Sequence, residues 1–135
     1  MRLRALVLAA AVAATLAGCG TPAHDLFIVN RTGTIPGAKL RLRVTDDGHV
    51  RCNRVMREMS SRALILSRVL AEDLAPVADK GLSLPPRPGS VLRYDIRVAE
   101  GVVRFSDNSG GQPPVFARAV QLLRRIAREA CGLSR

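Results

Sequence analysis

The chain has 135 residues, a formal net charge of +10 and a hydrophobic fraction of 47%, which suits one small domain with a modest core. Lys39 and Lys80 are its only lysines, and such an arginine-rich composition is typical of a high-GC genome. A chain this basic is also attracted to anionic surfaces. With no Trp, one Tyr and three Phe, the chain lacks the stacking platforms of single-strand binders, so nucleic acid is not expected as a partner.

The first 18 residues are typical of a secretion signal. Arg2 and Arg4 supply the positive start, and an apolar run of alanine, leucine and valine continues to Leu16. This run is shorter than the roughly 20 residues that a permanent membrane helix requires. We therefore expect the segment 1–18 to be cleaved.

The signal ends in Leu16, Ala17, Gly18 and Cys19, which together resemble the bacterial lipobox. The resemblance implies that Cys19 receives a diacylglyceryl thioether and becomes the first residue of the mature chain. The alternative is an ordinary signal peptide cut near residues 11–13, which leaves Cys19 as a free thiol. The sequence also resembles small lipoproteins of high-GC bacteria.

Three cysteines leave one odd thiol in an exported protein, and lipidation of Cys19 accounts for it. Cys52 and Cys131 remain, and two cysteines in an oxidising compartment are expected to form a disulfide. The alternative is a pair of buried, unpaired thiols. We predict the bridge Cys52–Cys131.

The mature chain is predicted to be one tethered domain. Loss of residues 1–18 removes two arginines, so its formal charge falls from +10 to +8. Residues 19–25 form a short tether, whose six residues after Cys19 reach about 20 Å when extended. Residues 26–135 form a single domain close to the membrane.

The first half of the domain is predicted to contain β structure. Residues 26–31 are β-prone, and residues 32–37 carry the Gly and Pro of a turn. Residues 39–45 alternate between apolar and polar side chains, which predicts a half-buried strand. After the turn at 46–48, residues 49–53 return as its partner strand.

Helical spacing then begins after a serine cap at Ser60 or Ser61. The helix runs toward Asp79, and Pro76 is expected to kink or end it. Its predicted apolar stripe comprises Leu64, Leu66, Val69, Leu70, Leu74 and Val77. Residues 81–89, rich in Pro and Gly, follow as a stiff connector.

The second half repeats this plan. Residues 91–98 alternate again and residues 102–106 follow a tight turn, which predicts an antiparallel hairpin. After a loop at 107–111, the proline pair 113–114 opens a second amphipathic helix that ends near Gly132. Its apolar stripe comprises Phe116, Ala119, Val120, Leu123, Ile126, Ala127 and Ala130.

The order hairpin, helix, hairpin, helix predicts an α+β fold. We expect an antiparallel sheet of about four strands with both helices packed on one face. The bridge Cys52–Cys131 would join the end of the first hairpin to the end of the final helix.

Residues with catalytic chemistry are sparse. Neither His24 nor His49 belongs to a cluster with metal-ligand spacing, so we expect no metal and no cofactor. The loop 107–111 has oxygen ligands for a cation, but Asp, Asn, Ser and Gly are first of all turn residues. No serine has a histidine-containing partner set nearby in sequence. We expect a domain without enzymatic activity.

The outward positions of the predicted strands are mostly basic. They are Lys39, Arg41, Arg43, Arg51, Arg93, Arg97 and Arg104, interrupted mainly by Asp95. Such residues ordinarily form a solvated surface. Alternatively, arginines that three strands place on one face would meet anionic headgroups or an acidic partner near a membrane.

Short motifs across most of the mature chain resemble emfourin-type small domains. They are Arg31, Thr32, Gly33, Thr34, Ile35, Pro36 and Gly37, then Leu92, Tyr94, Ile96 and Val98, and finally the Pro-started C-terminal helix. That family includes proteinaceous inhibitors of thermolysin-like metalloproteases. The resemblance implies that residues 31–37 are a partner-binding loop presented to a protease cleft.

The sequence thus favours a lipid-anchored lipoprotein on the extracytoplasmic face of a bacterial membrane, or of the outer membrane in a Gram-negative source. Its expected partners are the membrane, through Cys19, and an envelope protein or another envelope component. Inhibition of a thermolysin-like metalloprotease is the alternative function.

Overall fold

The computed structural model describes residues 20–134, so the signal and the predicted lipid attachment site Cys19 lie outside the described residues. The elements in chain order are β1 (Asp25–Gly33), β2 (Leu40–Thr45), β3 (His49–Cys52), β4 (Val55–Glu58), α1 (Ser61–Asp79), β5 (Leu92–Val98), β6 (Gly101–Ser106) and α2 (Pro114–Glu129). The strands form one antiparallel sheet in the order β4-β3-β2-β1-β5-β6. The predicted α+β class is confirmed.

The sheet has six strands, so the prediction of about four strands was wrong. The β-prone run 26–31 belongs to β1, which lies inside the sheet and pairs with both β2 and β5. β4 has no alternating pattern to reveal it, because all four of its side chains are exposed. It forms because a two-residue turn, with Asn53 at a φ of 53°, folds it back onto β3.

One face of the sheet carries the core. Alternation in β2 buries every second residue from Leu40 to Val44, as predicted. Phe105 of β6 is stacked between Tyr94 of β5 and Phe116 of α2, with ring centroids 5.1 and 4.1 Å away. The buried residues of the sheet and of both helices form a single cluster, so both helices cover the same face.

The start of α1 agrees with the sequence, whereas Pro76 does not end it. The Oγ of Ser60 accepts a hydrogen bond from the N–H of Ala63 at 3.2 Å, which caps the first turn. The helix continues through Pro76 to Asp79. The carbonyl that loses its bond to Pro76 belongs to the exposed Glu72, so water can replace the missing N–H.

The buried face of α1 differs from the predicted stripe. Its buried residues are Ala63, Ser67, Leu70, Leu74 and Ala78. Leu66 and Val69, predicted to be in the core, are 38% and 49% exposed. Leu70 and Leu74 are buried as predicted, whereas the other three buried positions hold Ala or Ser. Small side chains fit there because the helix approaches the sheet closely: a Cβ on Gly101 would collide with the carbonyl oxygen of Ala78.

Both helices run across the strands. We call the end of the sheet where β1 begins the tether end; the β2–β3 and β5–β6 turns also lie there. α1 starts beside Gly48 of the first turn, whose Cβ position lies 3.5 Å from Leu64, and ends beside Gly101 after the second. α2 lies nearer the opposite end, where Phe116 packs on β6 and Cys131 reaches β3.

The predicted disulfide is confirmed. Cys52 at the end of β3 is bonded to Cys131 after α2, with Cα atoms 5.8 Å apart and a sequence separation of 79. Cys52 is buried and belongs to the core cluster. The bridge therefore fixes the last helix to the outer half of the sheet.

We expect the double substitution Cys52→Ser and Cys131→Ser to lower the free energy of unfolding by about 4 kcal/mol, because the bridge restrains a long loop in the unfolded chain. Urea unfolding of residues 20–135 with and without the substitutions measures this. Reduced wild-type protein is the control and should match the variant. Two freely alkylated cysteines in unfolded, unreduced wild-type protein would contradict the bridge.

Candidate functional site

The outer face of the sheet, opposite the helices, carries the predicted arginines. Arg41, Arg43, Arg51, Arg93, Arg97 and Arg104 are exposed on strands β2, β3, β5 and β6. We call these six residues the basic sheet face. Lys39, which the sequence placed with them, is exposed directly before β2. The fold thus brings together arginines that are up to 63 positions apart, from Arg41 to Arg104.

The strand register sets like charges side by side. Arg43 of β2 lies directly opposite Arg51 of β3, and on its other side it lies opposite Ile28 of β1. Ile28 in turn lies opposite Arg97 of β5, so three arginines share one row across four strands. Like charges in directly opposed positions destabilise a sheet. An anion bound over this row would remove that cost.

Two of the six arginines are paired with carboxylates. The Nε of Arg43 lies 2.7 Å from Oδ1 of Asp25, and this hydrogen bond raises the pKa of Arg43. Arg104 lies 3.4 Å from the carboxylate of Asp95. Both pairs are about half exposed, so each adds little to stability.

The other four arginines of the basic sheet face make no ion pair within residues 20–134. They are Arg41, Arg51, Arg93 and Arg97. Asp25 and Asp95 do not neutralise these four charges, because they pair with Arg43 and Arg104. The face therefore keeps a net positive charge after its internal pairs are counted.

A shallow cleft of about 320 Å³ lies at the centre of this face. Ile28 and Asn30 of β1 lie at its middle: Ile28 is opposite Arg43 of β2 and Arg97 of β5, and Asn30 is opposite Arg41 of β2 and Asp95 of β5. The amide of Asn30 is exposed and can donate a hydrogen bond. Asp95 pairs with Arg104, and the guanidinium groups of Arg41 and Arg97 near the Asn30 amide suit a phosphate or carboxylate oxygen.

The sequence did not reveal two parts of this cleft. Ile28 and Asn30 were assigned to a β-prone run without a place in the sheet, although Phe27 and Val29 alternate with them as buried residues. The sequence hides this alternation, because residues 26–29 are all apolar. Asp25 was assigned to the tether, and its pairing with Arg43 depends on a strand register that the sequence does not display.

The predicted partner-binding loop, residues 31–37, is only partly available to a partner. Arg31 lies in β1 and is 4% exposed; its Nε donates to the carbonyl of Ala38 at 2.9 Å and its Nη2 to that of Gly37 at 3.0 Å. Burial lowers the pKa of Arg31, and the nearby charge of Arg124 lowers it further. The guanidinium therefore holds the turn from within.

The exposed part of this loop is a tight turn. Ala38 donates its N–H to the carbonyl of Ile35 at 3.2 Å, and Gly37 has a φ of +73°. Proline followed by a glycine of positive φ is typical of a type II turn. Thr32, Thr34 and Pro36 are the exposed side chains of the loop.

The loop 107–111 has a structural role. Asp107 accepts hydrogen bonds from Ser90 Oγ at 2.9 Å and from the N–H groups of Val91 and Leu92. Burial alone would raise the pKa of Asp107, but these hydrogen bonds together hold it below its usual value. Asn108 also donates to the carbonyls of the connector. The loop thus fixes the connector and the start of β5.

The described residues contain neither a metal-ligand cluster nor a membrane-spanning helix. Residues 20–134 contain no group of three or more His, Cys, Asp or Glu side chains that could hold a metal ion. His24 is exposed in the tether, and the Nδ1 of His49 lies 3.1 Å from the carboxylate of Asp47. In the same part of the chain, no helix is both long and apolar enough to cross a membrane.

No protein-family model, no curated protein and no solved structure matches this chain. A function for it has to come from its own residues and contacts. The feature that brings most charged groups together is the basic sheet face with its central cleft.

Proposed function

We propose that this protein is a lipid-anchored lipoprotein of the bacterial envelope whose small domain binds an anionic envelope component on its basic sheet face, without catalysis. The observation that carries the proposal is the row of Arg51, Arg43 and Arg97 across neighbouring strands. Asp25 pairs with Arg43, so Arg51 and Arg97 on either side carry the charges that an anion over this row would neutralise.

The sequence of the export segment supports the anchor. Leu16, Ala17, Gly18 and Cys19 follow an apolar run of the length that a signal requires. A diacylglyceryl group on Cys19 supplies two acyl chains, and two chains give stable attachment where one is marginal. The disulfide Cys52–Cys131 fits an exported protein.

The course of the tether supports contact between the basic sheet face and the membrane. The N–H of Asp46 donates to the carbonyl of His24 at 2.9 Å, which holds the end of the tether at the β2–β3 turn. Ala23 lines a shallow surface cavity together with Arg43 and Arg51, so the tether leaves along the basic side of the sheet. Residues 20–23 reach at most about 14 Å.

The first ligand to consider is therefore the anionic headgroup of the membrane itself. Each basic residue near such a surface contributes about 1 kcal/mol at most, and the attraction falls off within a Debye length. The short tether allows the four arginines without ion pairs to come within that range. The lipid provides the attachment, and the arginines orient the domain.

Inhibition of a thermolysin-like metalloprotease stays a prediction. The side chains that the turn offers to a protease are those of Thr32, Thr34 and Pro36, because Arg31 is buried. Incubation of residues 20–135 with such proteases tests this alternative directly.

We expect the substitution Cys19→Ala to abolish lipid labelling, because the Cys19 thiol is the acceptor of the diacylglyceryl group in this proposal. Cells that express the wild type or the variant are grown with a radioactive fatty acid, and the immunoprecipitated proteins are compared. The variant Cys52→Ser is the matched control and should be labelled like the wild type. Equal labelling of the Cys19→Ala variant would contradict the lipoprotein proposal.

A second experiment tests the basic sheet face without the anchor. We expect residues 20–135 to bind anionic vesicles weakly at low salt, and we expect the glutamine variant of Arg41, Arg51, Arg93 and Arg97 to bind at least tenfold less, since each residue contributes up to about 1 kcal/mol. Co-sedimentation at several ionic strengths measures this. The core lies between Phe27 and Ala127, so the shortened chain keeps it complete.

The matched control for the vesicle experiment removes the same charge from the helix layer. It replaces Arg62, Arg124, Arg125 and Arg128 with glutamine. This control should bind anionic vesicles nearly as well as the unsubstituted chain. Equal losses in the two variants would show an effect of net charge alone, and no preference for anionic over neutral vesicles would refute the role of the basic sheet face.

A further inference from the structure

Three apolar side chains of α1 are exposed on the helix layer. Ile65, Leu66 and Val69 are 58%, 38% and 49% exposed. The core does not use them, because the buried face of α1 consists of Ala63, Ser67, Leu70, Leu74 and Ala78. Single exposed apolar residues are ordinary, but these three lie within two turns of one helix.

Two of them line a groove between α1 and α2. Leu66 and Val69 form part of its α1 side, and the nearly buried Leu70 and Leu122 lie between the helices. The groove has a volume of about 190 Å³. Since an apolar cavity of about 150 Å³ accommodates benzene, this groove has room for one leucine or phenylalanine side chain.

The charged rim of the groove is mainly basic. Arg118 and Arg125 of α2 line it, and Asp73 of α1 is the acidic lining residue. Arg118 is 2.8 Å from Asp73, whereas Arg125 is 3.9 Å from Glu129 and both of these residues stay partly exposed. Arg62 lies one turn before Leu66 and makes no ion pair within residues 20–134.

We propose that the groove between α1 and α2 binds an acidic amphipathic helix of a partner protein. One large apolar side chain of that helix enters between Val69 and Leu122. Carboxylates beside its apolar stripe meet Arg118 and Arg125, whose exposed ion pairs with Asp73 and Glu129 are weak enough to be exchanged. This site lies on the opposite layer from the basic sheet face, so it does not depend on the proposed membrane contact.

The charges and the shape of the groove favour this occupant over two others. A second copy of the chain would bring the arginines of its own helices, such as Arg124 and Arg128, against the same basic rim, and like charges oppose such contact. A bilayer is flat, whereas the apolar floor formed by Leu70 and Leu122 is recessed between two helices. A helix has both the shape and the side-chain spacing for this groove.

Site-specific photocrosslinking in living cells tests the proposal with the full-length protein. A diazirine-bearing residue replaces Ile65, which is exposed beside the groove and leaves Leu66 and Val69 in place. The same residue at Lys80, which is exposed at the end of α1 and belongs to neither proposed site, is the matched control. Crosslinked peptides are identified by mass spectrometry.

We expect a crosslink from position 65 to one segment of another protein, with apolar residues three and four apart and flanking Asp or Glu. The double variant Arg118→Gln and Arg125→Gln should lower its yield roughly fivefold, while Arg54→Gln with Arg57→Gln, exposed residues outside both proposed sites, should leave it unchanged. Crosslinks to a second copy, to lipid alone, to a segment without acidic residues, or at no more than the level from position 80 would each overturn the proposal. An unchanged yield in the Arg118 and Arg125 variant would overturn it as well.

Discussion

The helices cover only one face of the sheet, and the rest of the structure depends on this constraint. Successive side chains of a strand point to opposite faces, so burial of Phe27 and Val29 in β1 turns Ile28 and Asn30 outward. If β2 shifted by one residue against β3, Arg43 would turn to the core face and its charge would be buried. Core burial thus fixes the register, and the register aligns the arginines into one surface.

The two layers of the fold offer different chemistry. The sheet layer presents guanidinium groups around Asn30, with the tether leaving along the same side past Ala23. The helix layer presents an apolar groove with Val69 at its edge, which the core leaves open because Ala63 and Ser67 take the buried positions of α1. A domain held close to a membrane by one layer can therefore offer the other to a protein.

Much of the fold could be predicted because its signals are local. Alternation revealed β2 and β5, and Ser60 revealed the start of α1. β4 was not predicted because its four side chains are all exposed and its pairing with β3 depends on the conformation of Asn53. Leu66 was wrongly placed in the apolar stripe of α1. The close approach of helix and sheet favours small residues at the interface, and the spacing of apolar residues along the sequence does not reveal this tertiary effect. For the site, the outward arginines were predictable, but their pairing with Asp25 and Asp95 was not.

The orientation of the lipidated protein on an anionic bilayer tests the central proposal most directly. A fluorescent residue is placed either at Asn30, in the middle of the basic sheet face, or at Gln121, which is exposed on α2, and quenching by a headgroup-labelled lipid is measured. We predict strong quenching at position 30 and weak quenching at position 121, with the difference reduced by high salt. Equal quenching at both positions, or stronger quenching at 121, would contradict the proposal that the sheet faces the membrane.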